Sequence, residues 1–249
     1  MNTDLTSLYN NEIQEVVKAN WTITSFDFIS MSDFQEKFKD PQYSFLILNE
    51  VKFVKDKTNP FYDYLSVWLG KNIKDYKELP ELCGVPLAYH SVDEDSYLYK
   101  LGTIVRFIQQ HLQLIRSNPN LITKSNVFKY YNDNMGDIKT KTLYLVPEDI
   151  AKDINTLDKI KKIYPYDVKI VTHEEVKKAI EDKDDKVVFL HKIGPEGTRL
   201  IARCYKIVIG TNDGKFYYFN YHMIDAKNPD GFCAKDFKKI MKKKPTKKK

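Results

Sequence analysis

The sequence predicts an α+β fold: two similar βαββ-type subdomains, an internal duplication, with a long helix between them. Three observations carry that expectation. Residues 30–48, SMSDFQEKFKDPQYSFLIL, are echoed 142 positions later by residues 172–190, THEEVKKAIEDKDDKVVFL. Residues 64–72, YLSVWLGKN, and 204–212, CYKIVIGTN, both end an apolar run in Gly-x-Asn. Between the copies, residues 93–116 place Tyr97, Leu101, Ile104, Ile108, Leu112 and Ile115 on one helical stripe.

In chain order, NEIQEVVKANW reads as an amphipathic helix, with Val17 and Trp21 in the places later taken by Ile160 and Tyr164 of TLDKIKKIYP. FDFIS, residues 26–30, faces VKIVT, residues 168–172, as a short alternating strand. Ser32 with Gln35 and Thr172 with Glu175 fit the S/T-x-x-E/Q capping box, in which cap oxygen and third-residue side chain satisfy each other's orphan N–H. Phe34 and Phe38 then match Val176 and Ile180, an i, i+4 pair that buries one helix face. YSFLIL and KVVFLH follow, too continuously apolar for edge strands.

The long helix is expected from Asp93, with Asp93, Glu94 and Asp95 at its positive end, Arg116 at its negative end and SNPN breaking it. KTLYLV reads as a strand, and Pro147 suits the first position of a short helix. Asn212-Asp213-Gly214 is a tight-turn signal that folds ARCYKIVIG onto KFYYFNYHMI as a hairpin. The expected boundaries are a first repeat over 1–120, a linker over 121–137, a second repeat over 138–241 and a basic tail over 242–249.

The net charge of +6 belongs to the C-terminus. The last twelve residues hold eight Lys and no acid, so removing them leaves the rest at −2. A nucleic-acid-binding domain carries its positive charge on the fold itself; here only the tail could attract nucleic acid, and nonspecifically. Aromatic residues make up 13%, with 17 Tyr and 14 Phe, a composition that favours strands and interfaces. No apolar run is long enough to span a membrane, and the N-terminus lacks the basic start and apolar stretch of a signal peptide.

The paired strand–capped helix–strand units, the YKLGTIVRFIQQHLQLI helix and the CYKIVIGTNDGKFYYFNYHMI hairpin resemble an uncharacterised family of two-repeat bacterial envelope proteins. The resemblance covers most of residues 11–224. It implies a leader peptide on the precursor and a periplasmic or secreted location, and it brings no activity, cofactor or catalytic residue.

Chemistry is sparsely written. Cys83, Cys204 and Cys233 are far apart, with no C-x-x-C, so they give no zinc pattern, and whether any two are bridged stays open. HEEVK at His173 is not H-E-x-x-H, because Lys177 stands at the fifth position; His173 reads as a solvated first-turn residue. His191 and His222 end strands and read as hydrogen-bonded scaffolding. His90 precedes DEDS, His111 lies in the long helix, and the five His are too dispersed to nominate a metal site. Asp93–Asp95 suit helix capping better than a cation, and NDNMGD at 132–137 lacks the ligand pattern of a calcium loop and reads as a polar turn. GPEGTR at 194–199 joins two strands, whereas a phosphate cradle needs a helix N-terminus. G-x-S-x-G is absent, as is any Cys with a neighbouring His.

The expectation is therefore a noncatalytic binding or assembly module of the bacterial envelope, using no cofactor or metal, with a protein or glycan partner held between two subdomains. The competing readings are a cytoplasmic, nucleic-acid-associated protein acting through its Lys tail, and an enzyme whose site is assembled from distant residues.

Overall fold

The computed structural model describes residues 8–56, 58–90, 92–121, 127–195 and 201–246. It is a mixed α+β fold with seven α-helices and two sheets, of three and five strands, among the described residues. None of these helices is long and apolar enough to cross a membrane.

Helices α1 (Leu8–Asn20) and α2 (Met31–Lys37) precede an antiparallel meander of β1 (Ser44–Lys52), β2 (Phe61–Leu69) and β3 (Glu81–Tyr89). The first capping box is real but starts two residues earlier than expected. Ser30 Oγ, not Ser32, accepts from Asp33 N–H at 3.1 Å, and the Asp33 carboxylate accepts from Ser30 N–H at 3.0 Å. The helix still buries Phe34 and Phe38, against Phe45 and Leu79. The strand expected at residues 26–30 does not form. This segment has no sheet neighbour, and Phe26, Phe28 and Ile29 are exposed. Strand β3 carries no clear alternation in sequence because Gly84 and Pro86 interrupt its pattern; as an edge strand it tolerates a proline.

The long helix is shorter than its stripe. Asp93 Oδ1 accepts from Asp95 N–H, which closes a 3-10 turn; a second such turn follows, and α3 starts only at Leu101 and runs to Ser117. Asp93, Glu94 and Asp95 therefore do not sit at its N-terminus. The stripe itself is buried apart from Leu112, which is half-buried, and Leu101, Ile104 and Ile108 are fully inaccessible. Helix α4 (Val127–Asn132) leads into a 3-10 helix, Asp133–Thr140, where a polar turn was expected. Its apolar side explains this: Met135 and Ile138 are buried. Asn132 then uses its whole amide on one strand residue, donating to Phe219 O at 2.9 Å and accepting from Phe219 N–H at 2.8 Å.

The second sheet is built from β4 (Thr142–Leu145), α5 (Leu157–Lys161), β5 (Val168–Ile170), α6 (His173–Glu181), β6 (Val187–Ile193), β7 (Arg203–Gly210) and β8 (Phe216–Met223), and α7 (Ala234–Lys242) follows it. Its order is β5-β4-β6-β7-β8, with β4 parallel to both neighbours and β6 to β8 antiparallel. The Thr172–Glu175 box forms as read. So does the tight turn, where Gly214 takes φ +62°.

A capped helix followed by a three-stranded antiparallel meander thus occurs twice along the chain, as α2-β1-β2-β3 and α6-β6-β7-β8. Both sheets share one core. Leu65 and Val85 of the first sheet, Ile104 and Val105 of α3, and Phe189, Tyr205 and Ile207 of the second belong to the same buried cluster. Phe107 of α3 stacks on Phe216 with ring centroids 3.4 Å apart. The opposite face of the second sheet is sealed by Ile160, Phe232, Phe237 and Ile240, which is why β6 is buried at every position.

The described start of the basic tail lies against the fold. Lys243 Nζ is 3.5 Å from Asp133 Oδ1, and Thr246 donates to the carboxylate of Asp137. Residues 247–249 lie outside the described residues, as do 196–199 of the glycine-containing GPEGTR segment.

Candidate functional site

The parallel strands decide where side chains can converge. The chain leaves β4 and pairs with it on one side as β5. It then crosses through α6 and pairs on the other side as β6. Beyond the carboxyl ends of such strands the connections diverge, and a crevice opens between them. Three connections meet there: a 3-10 turn, Pro147–Asp149, after β4; the α6 cap, Thr172 and His173, after β5; and Gly194 after β6. The end of β3 and the turns before α3 close the space from the first sheet.

The crevice has two compartments. The inner one is a chamber between the sheets, lined by Ser96, Tyr97, Lys100, His191, Lys192 and Gly194 among others; its volume is about 20 Å³, room for one water or one ligand hydroxyl. The outer one is an open groove of about 400 Å³, lined by Pro147, Ile170, Val171, Thr172 and Glu175. Glu148 and His173 line both. They are joined at 2.6 Å, His173 Nε2 to Glu148 Oε1, and Tyr99 packs its ring 5.7 Å from that of His173.

His191 is the most unusual group here. Nε2 lies 3.2 Å from Pro86 O, a group that can only accept, so Nε2 carries the proton and Nδ1 is left with a bare lone pair. That lone pair is buried and has no partner among the described residues. Burial first, and the nearby Lys100 charge second, depress its pKa to about 3, so the ring stays neutral at ordinary pH. His191, which lines the chamber, thus keeps an acceptor that no described group meets.

The adjacent Lys192 has a fixed charge. Burial opposes its ammonium, but Asp149 at 3.8 Å and Asp230 at 2.9 Å outweigh that and hold the amine above the usual lysine range. Gly194 makes this approach possible: a Cβ there would lie 2.8 Å from Asp230 Oδ1. A second buried pair, Lys206 and Asp236 at 2.8 Å, lies on the neighbouring strand, on the same face of the sheet as Lys192.

The other singled-out residues have structural duties. His111 bonds Tyr131 OH through Nδ1 and Leu82 O through Nε2. His222 lies 2.9 Å from Lys206 Nζ and bonds Pro229 O. Glu94 accepts from Tyr9 N–H and tethers α1. Cys83, Cys204 and Cys233 are all free, and burial pushes each thiol's pKa up, away from thiolate chemistry. His173 stands in the first turn of α6 as read, with its side chain 36% exposed, and it lines both chamber and groove. His90 is brought beside Glu50 and Asp63 on the first sheet.

Sequence reasoning missed Lys100, Glu148, Asp149 and Lys192. A signal was available: in VVFLHKIG, residues 187–194, two polar residues follow four apolar ones inside a buried strand. No protein-family model, curated protein or solved structure matches the chain.

Proposed function

We propose that the chain is a noncatalytic binding module that seats a hydroxyl-bearing, glycan-type ligand in the groove at the carboxyl ends of β4, β5 and β6. The observation that carries this reading is the buried, unpartnered Nδ1 of His191. A lone pair withdrawn from water and left unmet costs on the order of 1–3 kcal/mol, which a ligand hydroxyl reaching through the groove would recover. The groove continues the same chemistry, because the carboxylates of Glu148 and Glu175, each with a second oxygen to offer, line it together with Ile170 and Val171. The remaining charged groups favour holding over turnover: Lys192 is fixed between two carboxylates and Glu148 is held by His173. Location in the bacterial envelope rests on the family resemblance alone.

We also propose that the two capped-helix meanders descend from one duplicated unit. The supporting facts are the shared element order, the two capping boxes, and the burial of Phe34 and Val176 at matching positions.

The test is a titration of neutral and amino-sugar oligosaccharides, with short peptides as the comparison set, read by calorimetry. Binding of an oligosaccharide should weaken at least tenfold in His191→Phe and in Glu148→Gln, and the recovered ligand should be chemically intact. Affinity unchanged in both variants would remove the site, and hydrolysed ligand would remove the noncatalytic reading.

A further inference from the structure

The first sheet carries a second cluster, remote in sequence from the groove. Glu50 of β1 and Asp63 of β2 are direct cross-strand partners in the antiparallel register. Like charges placed opposite one another destabilise a sheet unless something neutralises them. His90 stands two residues beyond Ala88, which pairs with Asp63, and its N–H donates to Phe61 O, so the backbone fixes it beside the two carboxylates. Its Nδ1 lies 3.2 Å from Asp63 Oδ1 and 3.7 Å from Glu50 Oε1, and the three atoms lie within 4.8 Å of one another.

We propose that Glu50, Asp63 and His90 bind a divalent transition-metal ion of the zinc type. A tetrahedral ion with bonds of 2.0–2.2 Å sets its ligand atoms about 3.4 Å apart, and the two distances to Nδ1 bracket that value. One nitrogen and two carboxylate oxygens are donors such an ion accepts, and a dipositive charge would relieve the opposed carboxylates. Without an ion, Nδ1 has a single lone pair or a single proton for two converging oxygens. All three ligands stand on or directly after strands, so their spacing is set by the sheet ladder rather than by a loop. Asp63 is half-buried, so its carboxylate is held partly out of water beside Glu50. Three protein ligands leave a fourth position open to water or to a ligand group.

The experiment uses the full chain after chelator dialysis, titrated with ZnCl₂ in a calorimeter, with MgCl₂ and CaCl₂ as controls. One zinc per chain is expected, with no comparable uptake of magnesium or calcium. Cobalt substitution should give the visible absorption of a four-coordinate site. His90→Ala and the double variant Glu50→Gln/Asp63→Asn should each weaken zinc at least tenfold while circular dichroism stays that of the parent. Because all three side chains reach solvent, a folded variant is obtainable. Zinc uptake unchanged in both variants, no uptake by the parent, or a preference for magnesium or calcium would each overturn the assignment.

Discussion

His191 makes a testable demand on the stability of the whole fold. It is 1% exposed, and its pKa falls from an ordinary 6.5 to about 3. Below pH 6.5 the unfolded chain takes up a proton that the folded chain refuses. The stability tied to this residue is therefore complete above pH 6.5 and is lost progressively as pH falls toward 3. Each pH unit in that window costs about 1.4 kcal/mol, so a drop to pH 5.0 costs about 2 kcal/mol from this side chain alone. The perturbation is His191→Gln, which keeps a nitrogen donor for Pro86 O and cannot titrate. Urea unfolding at pH 7.5 and pH 5.0, followed by tryptophan fluorescence, gives the comparison. The parent should lose about 2 kcal/mol more than the variant between the two pH values. His111 and His222, also lowered by burial, remain in both proteins and cancel from the difference. Equal losses in parent and variant would show that His191 is protonated in the folded state, and the permanent acceptor would be gone.

Two further changes probe the second sheet. Asp236→Ala should cost about 3–5 kcal/mol in urea unfolding, because it strands the Lys206 ammonium in the core, whereas Lys206→Met with Asp236→Leu should recover most of that; a double variant as unstable as the single one would refute the reasoning. Gly214→Ala should cost at least about 2 kcal/mol, combining the left-handed backbone with a Cβ 2.8 Å from Thr103 O; an unchanged urea midpoint would count against the turn.

What could be read in the chain were features governed by neighbours in sequence. The Thr172 cap depends on a residue three places away, the α3 stripe on a 3.6 period, and the β7–β8 hairpin on one Gly. Each was legible for that reason. The misreadings share the opposite cause. Residues 26–30 alternate like a strand, but a strand needs a partner, and only their counterpart at 168–170 has one in β4. Strand β3 hides behind Pro86, yet Pro86 O is the acceptor that fixes the tautomer of His191, 105 residues away. The candidate site is a tertiary product throughout: His173 meets Glu148 and His90 meets Glu50 only because strands of different sequence distance come to lie side by side. The imidazoles are dispersed along the chain, and that dispersal says nothing about their spacing in the fold.

The buried lysines show how charge can fix what hydrophobicity leaves loose. Every residue of β6 is buried, and β7 is nearly so, leaving an apolar–apolar pairing with little to choose between registers. Lys192 and Lys206 stand directly opposite each other in that pairing, two ammoniums on one face with almost no water. Such an arrangement survives only if each finds its own carboxylate, and the segment after β8 supplies both, Asp230 for Lys192 and Asp236 for Lys206. Burial alone would raise the Asp236 pKa, but the Lys206 charge first, then Tyr218 OH and Cys233 N–H, outweigh it and hold the carboxyl below the usual range, and Asn220 Nδ2 also donates to it. A slip of one residue between β6 and β7 would send Lys206 to the opposite apolar face, toward Phe189 and Ile193 and away from Asp236. The ion pairs thus contribute less to the depth of the folded state than to its uniqueness. They select the one alignment in which His191 faces β3 and Lys192 meets Asp149 and Asp230.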